Sequence, residues 1–199
     1  MDLVLATANV HKIREFREML KPFKHVDVVS LLNFPQYNLP AETGETFKEN
    51  ACIKALDAAA ALKKWVLADD SGLVVPSLNG RPGVYSSRYA GEDATDSENK
   101  DKLLRELNGI EDLGRSAYFE CWLALASPEG NVRSFYGRTE GIIANEERGR
   151  KGFGYDSIFI KHDYDKTFAE LDEGVKNRIS HRRKAFDKFT LYLETIMKS

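Results

Sequence analysis

The sequence predicts an α/β fold built on a mixed sheet with flanking helices. Short apolar runs alternate with amphipathic segments of helical period in the first half of the chain. The second half contains two long segments of strand character, residues 116–127 and 132–143, joined by the turn Pro-Glu-Gly-Asn, which predicts a hairpin. No linker or repeat interrupts residues 1–199. We therefore expect a single domain with two lobes around a central cleft, lined by loops at the strand ends.

Each remaining element has its own local signal. Apolar runs that end in turn residues predict strands, whereas apolar residues at helical spacing after a capping residue predict helices. The predicted strands are residues 3–6, 25–31, 65–68 and 156–160. Two predicted helices span residues 10–20 and 95–107. Two more are predicted from their starts, one at the capping box of Thr46 and Glu49 and one near residue 180.

Composition and charge exclude several classes of protein. With 42% hydrophobic and 30% charged residues, the chain can bury a core without disulfides, so Cys52 and Cys121 are expected to be free thiols. The net charge of −2 argues against binding to nucleic acid or a membrane surface. No 18-residue apolar stretch and no signal peptide are visible, so we expect a cytoplasmic protein.

Two polar clusters follow predicted strands. Residues 7–12, Thr-Ala-Asn-Val-His-Lys, could hold a phosphate through backbone N–H groups and the Lys12 ammonium, although on this motif alone a capped helix start with a solvated lysine is favoured. Asp69 and Asp70 end an apolar run, where adjacent carboxylates are costly unless they are hydrogen-bonded or neutralised. They suit Mg²⁺ with substrate phosphates, and an Asx turn is the alternative. Their adjacency disfavours an aspartyl-phosphate phosphatase, whose two Asp are separated by one residue.

Two further clusters lie towards the C-terminus. Residues 152–156, Gly-Phe-Gly-Tyr-Asp, would let the backbone approach a flat ligand while the rings stack on it, and a tight turn with a core Phe is the alternative. Lys176 and the Ser-His-Arg-Arg of residues 180–183 place positive charge near a helix N-terminus, where it is unfavourable without an anion or acceptor. Together the four clusters indicate a site for a nucleoside polyphosphate with a metal.

Six segments in order resemble a known family, over residues 3 to about 195. The segments are Thr7-x-Asn9-x-x-Lys12, Glu42-Thr43-Gly44-x-Thr46-Phe47-x-Glu49-Asn50-Ala51, Ala68-Asp69-Asp70-Ser71-Gly72-Leu73, Pro82-Gly83-Val84-Tyr85-Ser86-x-Arg88-Tyr89, Gly152-Phe153-Gly154-Tyr155-Asp156 and Ser180-His181-Arg182. This set is similar to the signature of the inosine triphosphate pyrophosphatase family, whose members are also called non-canonical purine NTP or dITP/XTP pyrophosphatases.

The resemblance implies a homodimeric, Mg²⁺-dependent hydrolase with a long, strongly twisted sheet. Such an enzyme converts ITP, dITP and XTP to the monophosphate and pyrophosphate, which removes deaminated purines from the nucleotide pool. The resemblance implies that Glu42 and Asp70 hold Mg²⁺ and that Asp70 also accepts a proton. It implies substrate contacts for Thr7, Ala8, Asn9, Val10, His11, Lys12, Ser71, Phe153, Gly154, Tyr155, Asp156, Lys176, His181 and Arg182.

Two positions depart from the family pattern, and two other functions stay open. Ser157 stands where many members have proline, which is expected to loosen the loop that positions Asp156, and His11 stands where a small residue or lysine is common. The alternatives are a pyrophosphatase for modified pyrimidine or general nucleotides, and a nucleotide- or RNA-binding module without turnover. The carboxylate pair argues against the second, because acids repel phosphates unless a metal intervenes. The sequence assigns no role to Asp69.

Overall fold

A computed structural model describes residues 1–198 and contains one six-stranded sheet. The order along the sheet is β2-β1-β3-β4-β5-β6. The strands are β1 (Asp2–Leu5), β2 (Asp27–Ser30), β3 (Trp65–Val74), β4 (Ser116–Ala126), β5 (Val132–Ile143) and β6 (Phe159–Lys161).

The sheet is mixed, as the sequence predicts. Strand β1 pairs in parallel with both β2 and β3, whereas β5 and β6 are antiparallel. Strands β4 and β5 are neighbours joined by a short turn, in which the Ser127 N–H donates to the Asn131 carbonyl at 2.8 Å. The alternation of apolar runs and helices in the first half, followed by a hairpin, therefore produces the predicted α/β architecture.

Five α-helices accompany the sheet in the described part of the chain. Two of them begin at capping boxes, formed by Thr46 with Glu49 and by Thr95 with Glu98. None of the helices within residues 1–198 combines the length and the apolar character needed to cross a membrane. The helices are α1 (Val10–Leu20), α2 (Phe47–Leu62), α3 (Asp96–Glu106), α4 (Glu173–Ile179) and α5 (His181–Lys198).

Three elements differ from the sequence predictions. Strand β3 does not end at residue 68 but continues through Asp69, Asp70 and Gly72 to Val74, because lysine side chains neutralise both carboxylates. Residues 156–158 form turns, so β6 begins later than predicted. Helix α4 was not predicted, since its seven residues are too few to show an apolar period.

The chain divides into two compact units, each with its own core. The first unit contains residues 1–70, 121–137 and the segment from Arg183 onward, and the second contains 71–120 and 138–182. In the first unit α1 and α5 pack on the sheet through residues such as Phe16, Phe186 and Phe189, and the small side chains of α2 form a second cluster. The second unit is centred on aromatic and aliphatic side chains that include Phe119, Phe159 and Phe168. The predicted central cleft stays a prediction.

Candidate active site

The turn between β1 and α1 is closed by its own side chains. The Asn9 side chain accepts hydrogen bonds from the backbone N–H groups of His11 (2.9 Å) and Lys12 (3.2 Å) and so caps α1. The Asn9 N–H donates in turn to Thr7 Oγ1 at 3.2 Å. Three backbone N–H groups of the predicted phosphate site therefore already donate to side chains of the same turn. The positive charge for a phosphate in this segment comes from the Lys12 ammonium.

Lys12 forms an ion pair with Asp69. Its Nζ lies 2.9 Å from Asp69 Oδ2, and the Asp69 side chain is fully buried. Successive side chains of a strand point to opposite faces, so Asp69 and Asp70 cannot share one partner easily. The ion pair gives Asp69 a role that the sequence did not indicate: it holds the Lys12 ammonium in place.

Asp70 belongs to a second cluster, centred on a buried lysine of α2. Lys54 Nζ donates to Glu42 Oε1 at 2.7 Å and to Asp70 Oδ1 at 3.2 Å. Lys54 and Asp70 are buried, whereas Glu42 is partly exposed. The second carboxylate oxygen, Asp70 Oδ2, is buried and accepts no hydrogen bond from the described residues.

Burial and charge act in opposite directions on this cluster. Burial raises the pKa of Asp70, the ammonium groups of Lys54 and Lys12 oppose that effect, and the neighbouring carboxylates add to it, so the pKa ends above its ordinary value. Burial lowers the pKa of Lys54, but Asp70, Glu42 and Asp69 more than offset this, and the net shift is upward. Lys54 is therefore a cation at neutral pH, and Asp70 is a stronger base than an exposed aspartate.

Glu42 and Asp70 fit a magnesium ion. Hard oxygen donors are the ligands that Mg²⁺ prefers, and Mg²⁺ commonly takes one or two carboxylates while water and substrate phosphates supply the rest. Among the side chains that the structure describes, no three His, Cys, Asp or Glu are grouped so that they could hold a metal by themselves. The buried Asp70 Oδ2, without a hydrogen-bond donor among these residues, is the atom that a cation would satisfy.

In the second unit, residues 152–156 form a tight loop around one carboxylate. Asp156 Oδ2 accepts hydrogen bonds from the Phe153 N–H at 2.9 Å and from Lys176 Nζ at 2.6 Å, and Asp156 and Lys176 are both buried. Gly152 has φ +80°, and a Cβ at that position would lie 2.1 Å from Asp156 Oδ2. The glycine is therefore required by a close approach as well as by its backbone conformation.

Two cations lie beside the Phe153 ring. Lys176 Nζ is 4.8 Å from the ring centroid and Arg182 Cζ is 5.9 Å from it, within the range of cation–π attraction. Arg182 is 2% exposed, and its Nη2 donates to Ser71 Oγ at 2.9 Å. The structure thus brings together Ser71, Phe153, Asp156, Lys176 and Arg182, for each of which the resemblance implies a substrate contact.

His181 and Tyr155 are fixed by neighbouring groups of the second unit. The His181 ring stacks on Phe119 with centroids 4.7 Å apart and an interplanar angle of 12°. The Tyr155 hydroxyl donates to the Ser86 carbonyl at 2.8 Å. Burial raises the pKa of Tyr155, which keeps this hydroxyl a donor. Tyr155 therefore anchors the loop through its hydroxyl.

Ser157 is hydrogen-bonded to side chains from two other segments of the chain. Its hydroxyl donates to Glu147 Oε2 at 2.8 Å and accepts from Lys100 Nζ at 3.0 Å, and Lys100 also donates to Glu147. The expectation that serine in place of proline loosens this loop stays a prediction, and these two hydrogen bonds are the contacts that oppose it.

Comparison with known proteins identifies the family of this chain. The sequence profile of the Ham1 family matches residues 3–192. The chain belongs to the Ham1 family. It is 58% identical to a dITP/XTP pyrophosphatase of Protochlamydia amoebophila, with 98% of this chain and 99% of the relative aligned. It is 49% identical to a dITP/XTP pyrophosphatase of Chlamydia caviae, with 100% of this chain and 97% of the relative aligned.

A solved structure supports the fold of this Ham1-family chain. A Ham1 protein from Coxiella burnetii superposes with a TM-score of 0.89 at 42% identity, covering 98% of this chain and 99% of the other. The mixed sheet with flanking helices is therefore the fold of the family.

Lys54 is the site residue that the sequence analysis missed. The signal was present, because Lys54 lies on α2 beside Ala51, Ala55 and Ala58, which are buried. A lysine on a buried stripe needs a partner of opposite charge. What the sequence did not indicate was which carboxylates supply that charge.

We expect Lys54→Met to destabilise the protein more at pH 8 than at pH 5. Removing one partner of a buried ion pair costs about 3–5 kcal/mol. Losing the ammonium also raises the pKa of Asp70 further, and a carboxylate whose folded-state pKa is raised reduces stability as the pH rises through that pKa. Urea unfolding in metal-free buffer at the two pH values measures the difference.

Lys64→Met is the matched control, because Lys64 pairs with Asp2 on the surface and little change is expected at either pH. An equal loss of stability at both pH values for Lys54→Met would mean that only the packing of the Lys54 stem matters.

Proposed function

We propose that this protein hydrolyses ITP, dITP and XTP to the monophosphate and pyrophosphate, with Mg²⁺ as cofactor, and so removes deaminated purines from the nucleotide pool. The observation that carries the proposal is the Glu42–Lys54–Asp70 cluster, in which Lys54 and Asp70 are buried and which combines oxygen donors for a metal with a base. The names of the related dITP/XTP pyrophosphatases support the choice of substrate.

In the proposed mechanism a water molecule attacks the α-phosphorus and pyrophosphate leaves. Asp70 accepts the proton of the attacking water through its buried carboxylate, whose Oδ2 takes no hydrogen bond from the described residues. When bound by Glu42 and Asp70, Mg²⁺ supplies charge neutralisation of the triphosphate and lowers the pKa of water. Lys12, held by Asp69, offsets negative charge on the phosphates and on the leaving pyrophosphate.

The proposal assigns the remaining substrate contacts to two sets of residues. Ser71, Phe153, Gly154, Tyr155, Asp156, Lys176, His181 and Arg182 bind the nucleoside, and Thr7 to Lys12 bind phosphate. Hypoxanthine and xanthine carry an oxygen at position 6, whereas adenine carries an amino group that would face the Arg182 donor. A mismatch of a buried hydrogen bond can discriminate by about 10⁴-fold.

The function is tested by assaying ITP, XTP, dGTP, ATP and a modified pyrimidine triphosphate with and without Mg²⁺. We expect metal-dependent turnover of ITP and XTP, with inosine monophosphate and pyrophosphate as the products of ITP on chromatography. IDP and orthophosphate as main products would refute attack at the α-phosphorus. Preferred turnover of the pyrimidine would instead support the related pyrophosphatase activity.

We expect Asp70→Asn to lower ITP turnover by at least about 10³-fold, because one substitution removes both a metal ligand and the base. Steady-state kinetics at saturating Mg²⁺ measure the loss, with circular dichroism to show that the variant folds. Asp101→Asn, an exposed carboxylate of α3, should leave turnover unchanged. Turnover within tenfold of the unsubstituted enzyme would remove Asp70 from the mechanism.

We expect Arg182→Ala to lower kcat/KM for ITP by about 10- to 200-fold while leaving kcat/KM for ATP nearly unchanged. A lost hydrogen bond to a charged group is worth about 1.5–3 kcal/mol, and adenine gains nothing from this donor. Arg183→Ala is the control, since Arg183 pairs with Asp187 on the same helix. Equal losses for both substrates would make Arg182 a structural residue that acts through Ser71 and Phe153.

The proposal also includes a cytoplasmic homodimer. Light scattering behind size-exclusion chromatography measures the mass in solution, and a mass of one chain at micromolar concentration would contradict the dimer. Cell fractionation tests the compartment.

A further inference from the structure

Asn50 is a completely buried amide on α2, next to the proposed metal ligands. Its Oδ1 accepts the Gly44 N–H at 2.8 Å. Asn50 precedes Lys54 by one helical turn, so both side chains lie on one face of the helix. Gly44 follows Glu42 by two residues, and Glu42 binds Lys54. The segment that carries Glu42 is therefore bonded to two successive turns of α2, through Asn50 and through Lys54.

The attachment continues through the cap of α2. The N–H groups of Glu45 and Thr46 donate to Glu49 Oε2 at 2.8 and 3.1 Å. Three consecutive N–H groups, from Gly44 to Thr46, thus end on side chains of α2. The approach at Gly44 is close: a Cβ there would lie 2.6 Å from Glu49 Cβ and 2.7 Å from Asn50 Oδ1.

The chain contains a second copy of this arrangement for comparison. Helix α3 also begins with a capping box, and the buried Asn99 follows it at the same position as Asn50 follows the box of α2. Asn99 Oδ1 accepts the Ala90 N–H at 2.7 Å, and its Nδ2 donates to the Ser87 carbonyl at 3.1 Å. Both ends of the Asn99 amide are satisfied, as expected for a purely structural role.

The Asn50 amide is satisfied at one end. Its Nδ2 is buried and has no hydrogen-bond acceptor among the groups that the structure describes. Leaving a buried donor without an acceptor costs about 1–3 kcal/mol. We propose that Asn50 positions Glu42 for the metal ion, through Gly44, and that its NH₂ group donates to a phosphate oxygen of the bound triphosphate. This inference rests on the proposed function.

Three variants separate the two halves of the proposal. Asn50→Ala removes both the acceptor for Gly44 and the donor, whereas Asn50→Asp keeps an acceptor and, at pH 8, removes the donor. Asn99→Ala is the matched control, because it removes the corresponding amide after the other capping box. Gly44→Ala pushes the same segment away from α2, because the added Cβ would collide with Glu49 and Asn50. It replaces Asn50→Ala in the experiment if Asn50→Ala does not fold.

The proposed positioning of Glu42 by Asn50 is tested by measuring metal binding in the absence of nucleotide. Loss of a group that orients a metal ligand typically weakens metal binding by about 10- to 100-fold. We expect the Mn²⁺ dissociation constant, measured by electron paramagnetic resonance, to rise by that factor in Asn50→Ala and Gly44→Ala. It should not rise in Asn50→Asp or Asn99→Ala. Amide exchange of Gly44 should accelerate in Asn50→Ala and stay slow in Asn99→Ala.

The proposed hydrogen bond from the Asn50 NH₂ group to a phosphate oxygen is tested by steady-state kinetics at saturating Mg²⁺. We expect KM for ITP to rise about tenfold in Asn50→Asp, since one hydrogen bond to a charged oxygen is lost, with Asn99→Ala unchanged. An unchanged KM in Asn50→Asp would overturn the donor role. Mn²⁺ affinity of Asn50→Ala equal to that of Asn99→Ala would overturn the positioning role.

Failure of the proposed function would look different. In that case the unsubstituted protein itself would not hydrolyse ITP, whereas the Mn²⁺ and amide-exchange comparisons could still be made on the same four variants.

Discussion

The carboxylates of the Glu42–Lys54–Asp70 cluster depend on the ammonium group of Lys54 for their counter-charge. Burying a carboxylate is costly unless a counter-charge is supplied, and Lys54 supplies one to Glu42 and Asp70 together. Lys12 does the same for Asp69. With these two lysines in place, consecutive aspartates can occupy a buried strand. The charges that make the site chemically useful are thus the same charges that allow β3 to form.

This dependence explains which parts of the fold could be predicted. Helices α1 and α2 were predictable because their caps and apolar spacing are local: Asn9 and the box of Thr46 and Glu49 lie beside the residues they cap. The length of β3 was not, because it depends on lysines that are remote from it in the sequence. A pattern of apolar runs reports where a strand is buried by hydrophobic neighbours. It does not report where a buried ion pair extends the strand.

The candidate site could be predicted only in part. The resemblance implies substrate contacts for Ser71, Phe153, Asp156, Lys176 and Arg182, and the structure brings these five side chains together, whereas their binding of a substrate stays a prediction. It did not show that Asp156 holds its own loop through the Phe153 N–H, because that contact requires the left-handed backbone at Gly152. Motif residues indicate a ligand, whereas contacts among them decide which residues touch it and which hold the others.

Ser157 constrains how this part of the protein can vary in evolution. Its hydroxyl is held by Lys100 and Glu147, which come from distant parts of the sequence, so the three positions form one interdependent set. A lineage that exchanges Ser157 for proline removes the group that these two side chains share. The residues at positions 100 and 147 should then be substituted together. An alignment of close relatives would show this as covariation with position 157. Ser157 thus departs from the family pattern as one member of a hydrogen-bonded group of three side chains.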